Sequence, residues 1–228
     1  MPHPLNTYGD SMVLLSKGFG VDVASQRADD LDNLATDFIK SRTSCDIPTL
    51  AMDICCGAGG QSIRMAQEGA KVLAIDVISG LSLFEKSESL GLGERIEFHQ
   101  ADARALDAFM HKKSDVIVCQ RAIHHFKYSE ALAIVSKMRS LLSPGGRVYI
   151  SASGLFSEFG QGYAGSYLPL QDRYSTLSPE MQNKHGILGS VCLYSKTDMA
   201  SLLREAGLTY LEMFTSAFGN IKAVAVHE

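Results

Sequence analysis

The chain has 228 residues, 46% hydrophobic and 20% charged, a globular balance that supports one sizeable core with or without a small cap. Its formal net charge of -4 is spread along the sequence, without the basic stripe that a nucleic-acid partner calls for. No basic segment followed by an apolar one opens the chain, and runs such as 72–75 and 116–119 are far too short for a bilayer, so a soluble, cytoplasmic protein with no membrane partner is expected.

Residues 1–20 are irregular: prolines interrupt the start and Gly18-Phe19-Gly20 breaks any helix begun at Met12. From 25 to about 42, Leu31, Leu34, Ala35, Phe38 and Ile39 fall on one helical face, with acids near its start and bases near its end. An alternation follows. Strands are predicted at 49–54, 71–76, 95–100, 115–120 and 147–153, and helices at 61–68, 79–90, 105–110 and 129–142. The strands are continuous apolar runs, as a parallel sheet covered on both faces requires. Ser143-Pro144-Gly145-Gly146 reads as the turn into the fifth strand.

The alternation breaks at Gly154. Residues 154–194 are rich in glycine and aromatic side chains and too long for a strand-to-helix connection, so they read as an insertion, a lid. Ser195 then caps a helix running to about Ala206, and strands at 209–214 and 220–226 close the chain as an antiparallel hairpin. The division is 1–44, an N-terminal segment and partial cap; 45–153, the core; 154–194, the lid; and 195–228, a helix and edge strands of the same core. The fold class is α/β, a three-layer, doubly wound, Rossmann-like sheet of seven mostly parallel strands.

Chemistry concentrates where the first strand feeds a helix through Asp53-Ile54-Cys55-Cys56-Gly57-Ala58-Gly59-Gly60. Such a turn brings backbone close to a ligand and offers unpaired N–H groups. The glycines do not fit the dinucleotide spacing, and neither a phosphate-loop lysine nor a well-placed arginine follows, so the ligand lacks a phosphate chain. Acids stand there instead. Asp53 ends the first strand and can hold a cationic amine; Asp76 ends the second, where acids reach ribose hydroxyls; Asp102 follows the third and can accept from a purine amino group. Cys45, Cys55, Cys56, Cys119 and Cys192 show no metal-ligand spacing, and no metal is implied.

These motifs resemble class I S-adenosylmethionine-dependent methyltransferases of the small-molecule type, similar to enzymes of ubiquinone and menaquinone biosynthesis. That family's first strand and turn read acid-x-Gly-Cys-Gly-x-Gly, matched by Asp53, Cys56, Gly57 and Gly59; Cys55 stands where the family has its first glycine. Its second- and third-strand acids match Asp76 and Asp102, its fourth-strand segment resembles 115–126, and its Pro-Gly-Gly matches Pro144-Gly145-Gly146. The resemblance covers 45–153 and, more loosely, 195–227. It implies S-adenosyl-L-methionine as cofactor, S-adenosyl-L-homocysteine as product, and methyl transfer to oxygen, nitrogen or sulfur of a small-molecule acceptor. Val77, Ala103, Gln120 and Arg121 join the expected cofactor shell.

His124 and His125 are the candidate catalytic pair, as proton acceptors for a hydroxyl or as packing beside the strand ends. In the lid, Tyr163, Tyr167, Arg173 and Tyr174 are candidates for contacts to the acceptor, and Tyr8 and Phe19 for covering the same mouth. A non-catalytic S-adenosylmethionine-binding sensor or partner subunit, and a protein or peptide methyltransferase, are the alternative readings. A base-methylating enzyme is disfavoured because Cys119-Gln120-Arg121-Ala122 lacks the Asn/Asp-Pro-Pro-aromatic clamp.

Overall fold

The computed structural model describes residues 9, 11–109 and 111–227, which leaves Tyr8 and Met110 outside the described residues. The first helix, α1 (Asp30–Thr43), starts five residues later than its apolar period suggests. Asp29 accepts from the N–H groups of Leu31 and Asp32, and the Asp32 carboxylate accepts from the Asp29 N–H in return. This capping box fixes the helix start and leaves 25–28 outside it.

The alternation then runs β1 (Leu50–Ile54), α2 (Gly60–Gln67), β2 (Lys71–Asp76), α3 (Leu81–Ser89), β3 (Ile96–Gln100), a 3-10 segment (Ala103–Phe109), β4 (Ser114–Cys119), α4 (Tyr128–Leu141) and β5 (Leu142–Ala152). After the β5–α6 segment, which holds a short strand pair β6 (Ser175–Thr176) and β7 (Ser190–Val191) around α5 (Pro179–His185), come α6 (Lys196–Glu205), β8 (Thr209–Thr215) and β9 (Ile221–Val226). The main sheet has seven strands in the order β3-β2-β1-β4-β5-β9-β8. The first five are parallel, β9 runs antiparallel to β5, and β8 pairs antiparallel with β9 at the edge. This is the expected architecture.

One boundary differs. Ser143–Gly146 does not precede β5 but lies inside it: Leu142 pairs with Ser114 and Arg147 with Val116, and the surplus residues bulge out, with Gly145 at φ 75°. The strand thereby begins directly where α4 ends.

The two faces carry separate cores. Leu31, Ala35 and Ile39 of α1 pack with Met65 of α2 on Val72, Val116 and Val118. On the other face α4 and α6 cover Met52, Ile75, Ile117 and Ile150. The β5–α6 segment has a small core of its own, built from Tyr163, Leu177, Met181, Ile187, Val191 and Leu193. The strand order reverses between β1 and β4, so their carboxyl ends open a crevice.

Candidate active site

The crevice floor is the turn after β1. The chain enters left-handed space at Cys55 (φ 60°), Gly57 (φ 57°) and Gly59 (φ 81°). At Gly59 a Cβ would also meet Leu83 Cδ1 at 2.4 Å, so glycine is required twice over. Cys55 holds the same left-handed geometry without being glycine, at a cost of about 1–2 kcal/mol. A hydrogen bond with Cys119, followed by burial, holds its thiol well above the ordinary range, so it is a packed neutral group.

Asp76 anchors this turn. Its Oδ2 accepts from the Gly57 N–H at 2.8 Å and its Oδ1 from the Ile78 N–H at 3.0 Å. One carboxylate thus ties the end of β2 to the turn after β1. Because a carboxylate has about four acceptor positions, capacity for hydroxyl donors is left over.

Asp53 is buried to 3% exposure and accepts a 2.6 Å hydrogen bond from the Ser62 hydroxyl. Burial, only partly offset by that bond and reinforced by Asp32 and Asp76, pushes its carboxyl up to about 7. Asp32, also buried, is raised for the same first reason, and its Oδ1 has no hydrogen-bond partner. Two carboxyl groups sharing a buried floor form a place where positive charge is favoured.

A cavity of about 550 Å³ lies above this floor, a volume in the range of small-molecule sites. Asp53, Cys55, Cys56, Gly57, Gln120 and Arg121 line it, as do His124 and His125. Both polar atoms of the Gln120 amide are buried without a partner, and an unpaired buried amide marks a place where a ligand can supply the missing bonds. Arg121 is left-handed at φ 54°, held by its N–H donating to Ser151 Oγ at 2.8 Å.

Gly59, Asp76, Val77, Asp102 and Ala103 do not line the cavity but stand beside it, at the turn and at the ends of β2 and β3. The N-terminal turn Ser16–Gly18 reaches over that end, where Lys17 Nζ donates to the Val77 carbonyl at 3.1 Å. Asp102 is engaged by Arg104, whose hydrogen bonds hold its carboxyl below the usual range.

The two histidines differ. His124 is fully enclosed; its Nδ1 accepts from the Ser153 N–H at 3.3 Å, and burial, then His125 and Arg121, keep it neutral well below the ordinary range. His125 stacks 4.3 Å from His124, and burial lowers it to about 4. Phe19 packs edge-on against His125 at 5.4 Å and lines the cavity.

The four aromatic and basic residues picked out in the β5–α6 segment are placed elsewhere. Tyr163 is buried in that segment's own core and donates to the carbonyls of Arg173 and Val191. Arg173 is taken by Asp198 at 2.6 Å and by the Leu193 carbonyl. Tyr167 is fully exposed, and Tyr174 donates to the His125 carbonyl at 3.1 Å. None of the four lines the cavity. A small segment without much apolar volume uses its tyrosine and arginine to satisfy its own carbonyls. The residues it does present to the cavity are Ser157, Glu158 and Phe159, then Asn183, Lys184, His185 and Ile187. No motif marks these; only the fold brings the two stretches together.

Residues 51–146 match the family model described as a methyltransferase domain. This stretch is similar to a methyltransferase domain. A ubiquinone biosynthesis O-methyltransferase of Leptothrix cholodnii is 34% identical over 101 residues, 44% of this chain and 42% of that protein. Its counterpart in Paraburkholderia phytofirmans is 33% identical over 124 residues, 52% of this chain and 53% of that one. The chain thus spans about half the length of the curated relatives it matches.

Solved structures extend the likeness in fold. The 1,6-didemethyltoxoflavin-N1-methyltransferase of Burkholderia thailandensis, solved with 1,6-didemethyltoxoflavin and S-adenosylhomocysteine, superposes with a TM-score of 0.63 at 18% identity, covering 87% of this chain and 79% of that one. The magnesium protoporphyrin IX methyltransferase of Synechocystis, solved with S-adenosylhomocysteine, gives 0.61 at 19% identity and covers 97% of this chain and 91% of that one. The matched stretch therefore holds the glycine turn with Asp53, the reversal point of the sheet, His124 and His125, while α1 with Asp32 and the β5–α6 segment lie outside it.

Proposed function

We propose that the protein is an S-adenosyl-L-methionine-dependent methyltransferase acting on a small-molecule acceptor and releasing S-adenosyl-L-homocysteine. The observation that carries this reading is the floor of the cavity, a glycine turn beside buried Asp53, whose carboxyl is raised to about 7 by burial and by the acids Asp32 and Asp76. A ligand bearing a sulfonium and an ammonium group supplies that charge. The methionine end of the cofactor would lie on Asp53, Cys55, Cys56 and Gly57, with Gly59 shaping the turn beside them and the Gln120 amide and the Arg121 backbone closing the wall. Asp76 and Val77 would take the ribose, and Asp102 and Ala103 the adenine side, once Lys17 lifts from Val77.

The cofactor supplies an electrophilic methyl group, and the chain's own task is positioning and water exclusion. The β5–α6 segment acts as the lid, and Phe19 with Phe159 provides apolar cover. The residues offered to the acceptor are those of the lid's inner face rather than Tyr163, Tyr167, Arg173 or Tyr174. His124 serves as structure, locked to Ser153, and His125 as a neutral wall. We place the protein in the cytoplasm.

Calorimetry with S-adenosylmethionine and S-adenosylhomocysteine tests the reading, together with homocysteine-product release over a panel of phenols, amines and thiols. Micromolar-order binding with turnover is expected. Failure of both ligands to bind would sink it, and binding without turnover on any acceptor would instead identify a sensor.

A further inference from the structure

Two lid residues unrelated in sequence meet on the cavity wall. Glu158 belongs to a short 3-10 turn early in the lid, and His185 is the last residue of α5. His185 Nε2 lies 2.9 Å from Glu158 Oε1, and both residues line the cavity. Nε2 is buried and faces the Glu158 carboxylate. The Phe159 ring stands edge-on to the imidazole at 4.3 Å and restricts its rotation. Gly186, left-handed at φ 65°, ends α5 at this point, and its carbonyl accepts from the Gly20 N–H at 3.1 Å. Phe19, paired with Ile187, reaches across to His125 in the turn that follows β4. The His185 side of the lid is thereby pinned opposite the strand ends.

We infer that Glu158 and His185 form the proton-accepting pair for a hydroxyl-bearing acceptor, a step that rests on the methyltransferase reading above. The acceptor oxygen attacks the sulfonium methyl carbon. The carbon–sulfur bond breaks with its electron pair going to sulfur, and the oxygen–methyl bond forms. The acceptor's O–H bond breaks and its proton passes to an imidazole nitrogen of His185, while the Glu158 carboxylate stabilises the imidazolium until the proton leaves to solvent. S-adenosylhomocysteine and a methyl ether result.

The other two histidines of the cavity lack this arrangement. His124 has its Nδ1 occupied by the Ser153 N–H, and His125 lies at about 4 with no carboxylate beside it. His185 is lowered chiefly by burial, with Lys184 adding to that, while Glu158 works in the opposite direction. Lys184 itself pairs with Glu158 Oε2 at 2.6 Å, so the carboxylate is shared between two side chains of α5.

The test uses the whole protein with S-adenosylmethionine saturating at every pH and a panel of phenol, catechol, 4-hydroxybenzoate and butanol, followed as S-adenosylhomocysteine release from pH 5 to 9. Wild type is expected to methylate a hydroxyl, with a rate that falls toward acid as His185 is protonated. H185Q should keep its affinity for S-adenosylmethionine, lose about 100-fold or more in kcat, and lose the acid limb. E158Q should lose less and move that limb to lower pH, because the imidazolium has lost its carboxylate. A purely structural role would change stability or KM and leave the pH profile in place. H185Q within threefold of wild type with an unchanged profile overturns the inference. So does cofactor-bound wild type that methylates no hydroxyl on the panel. Absence of S-adenosylmethionine binding in the calorimeter is a separate result, which overturns the methyltransferase reading itself.

Discussion

Replacing Asp53 with Asn isolates what a buried carboxylate costs this fold. Burial first, with Asp32 and Asp76 adding to it against the Ser62 bond, raises Asp53 from 3.8 to about 7. A folded-state value above the unfolded one means that the native protein holds the proton more tightly. The stability this confers is full below about pH 3.8 and is lost as pH rises to about 7. At about 1.4 kcal/mol per unit, the roughly three-unit gap amounts to about 4 kcal/mol by pH 8. D53N keeps the shape and an acceptor for the Ser62 hydroxyl but has nothing to ionise. It should match wild type near pH 4 and exceed it at pH 8 by up to about 4 kcal/mol, or roughly 8–16 °C in Tm for a chain of this size. Urea unfolding of both proteins at each pH from 4 to 8 measures the difference directly. Parallel curves would refute the reasoning, since they would mean that Asp53 titrates alike in folded and unfolded chains. The same substitution should weaken S-adenosylmethionine by about 1.5–3 kcal/mol, some 10- to 150-fold, the range for a hydrogen bond to a charged group. Wild-type affinity should rise with pH toward 8, because the cation selects the ionised carboxyl, while that of D53N stays flat.

Asp29→Ala removes the cap of α1 and strands the buried Lys222 ammonium that it meets at 2.8 Å; a loss of about 3–5 kcal/mol in denaturant unfolding is expected, and less than about 1 would contradict it. Gly59→Ala forces a Cβ into Leu83 at φ 81° and should cost at least about 1–2 kcal/mol, read from thermal melts. Lys17→Ala releases the N-terminal turn from Val77 and should speed S-adenosylmethionine association in stopped flow while Asp76 contacts persist; an unchanged on-rate would show that the turn does not gate the adenosine end. Tyr163→Phe leaves two lid carbonyls without their donor and should cost about 1–3 kcal/mol, visible as faster proteolysis within the lid.

What could be read in advance followed from periodicity and punctuation. Alternating apolar runs and helical faces carry the parallel sheet, and Asp53, Gly57, Gly59 and Asp76 carry the floor because each must stand at a fixed offset from a strand end. Boundaries were blurred where side chains compete with the periodic signal. The Asp29–Asp32 box outranked the apolar stripe before it, and the Pro-Gly-Gly of β5 bulged within a strand instead of preceding it. The acceptor side was not legible. A tyrosine or arginine in a glycine-rich insertion looks like ligand chemistry, yet Tyr163 and Arg173 are spent on the insertion's own carbonyls. Glu158 and His185, 27 positions apart, meet only after α5 and the turn before it have packed.

Cys55 shows how the floor and the cover are linked. Its left-handed backbone is strained, and a Cβ added at neighbouring Gly57 would come within 3.8 Å of Leu15 in the N-terminal segment. That segment is in turn bonded to the lid twice, from Gly20 N–H to the Gly186 carbonyl and from Leu188 N–H to the Gly18 carbonyl. Opening the mouth can therefore follow one of two routes. Either those two bonds break, or the N-terminal segment lifts with the lid and takes Lys17 from Val77. The second route exposes the adenosine end and the acceptor end in one movement, so cofactor exchange and acceptor entry would share a rate. Gly20→Ala distinguishes the routes: its φ of 100° disfavours any side chain, and the added methyl would press on Ile187 at 3.3 Å. If strap and lid move together, the substitution should raise the on-rates of S-adenosylmethionine and acceptor by the same factor. An effect on acceptor alone would show that the lid opens by itself.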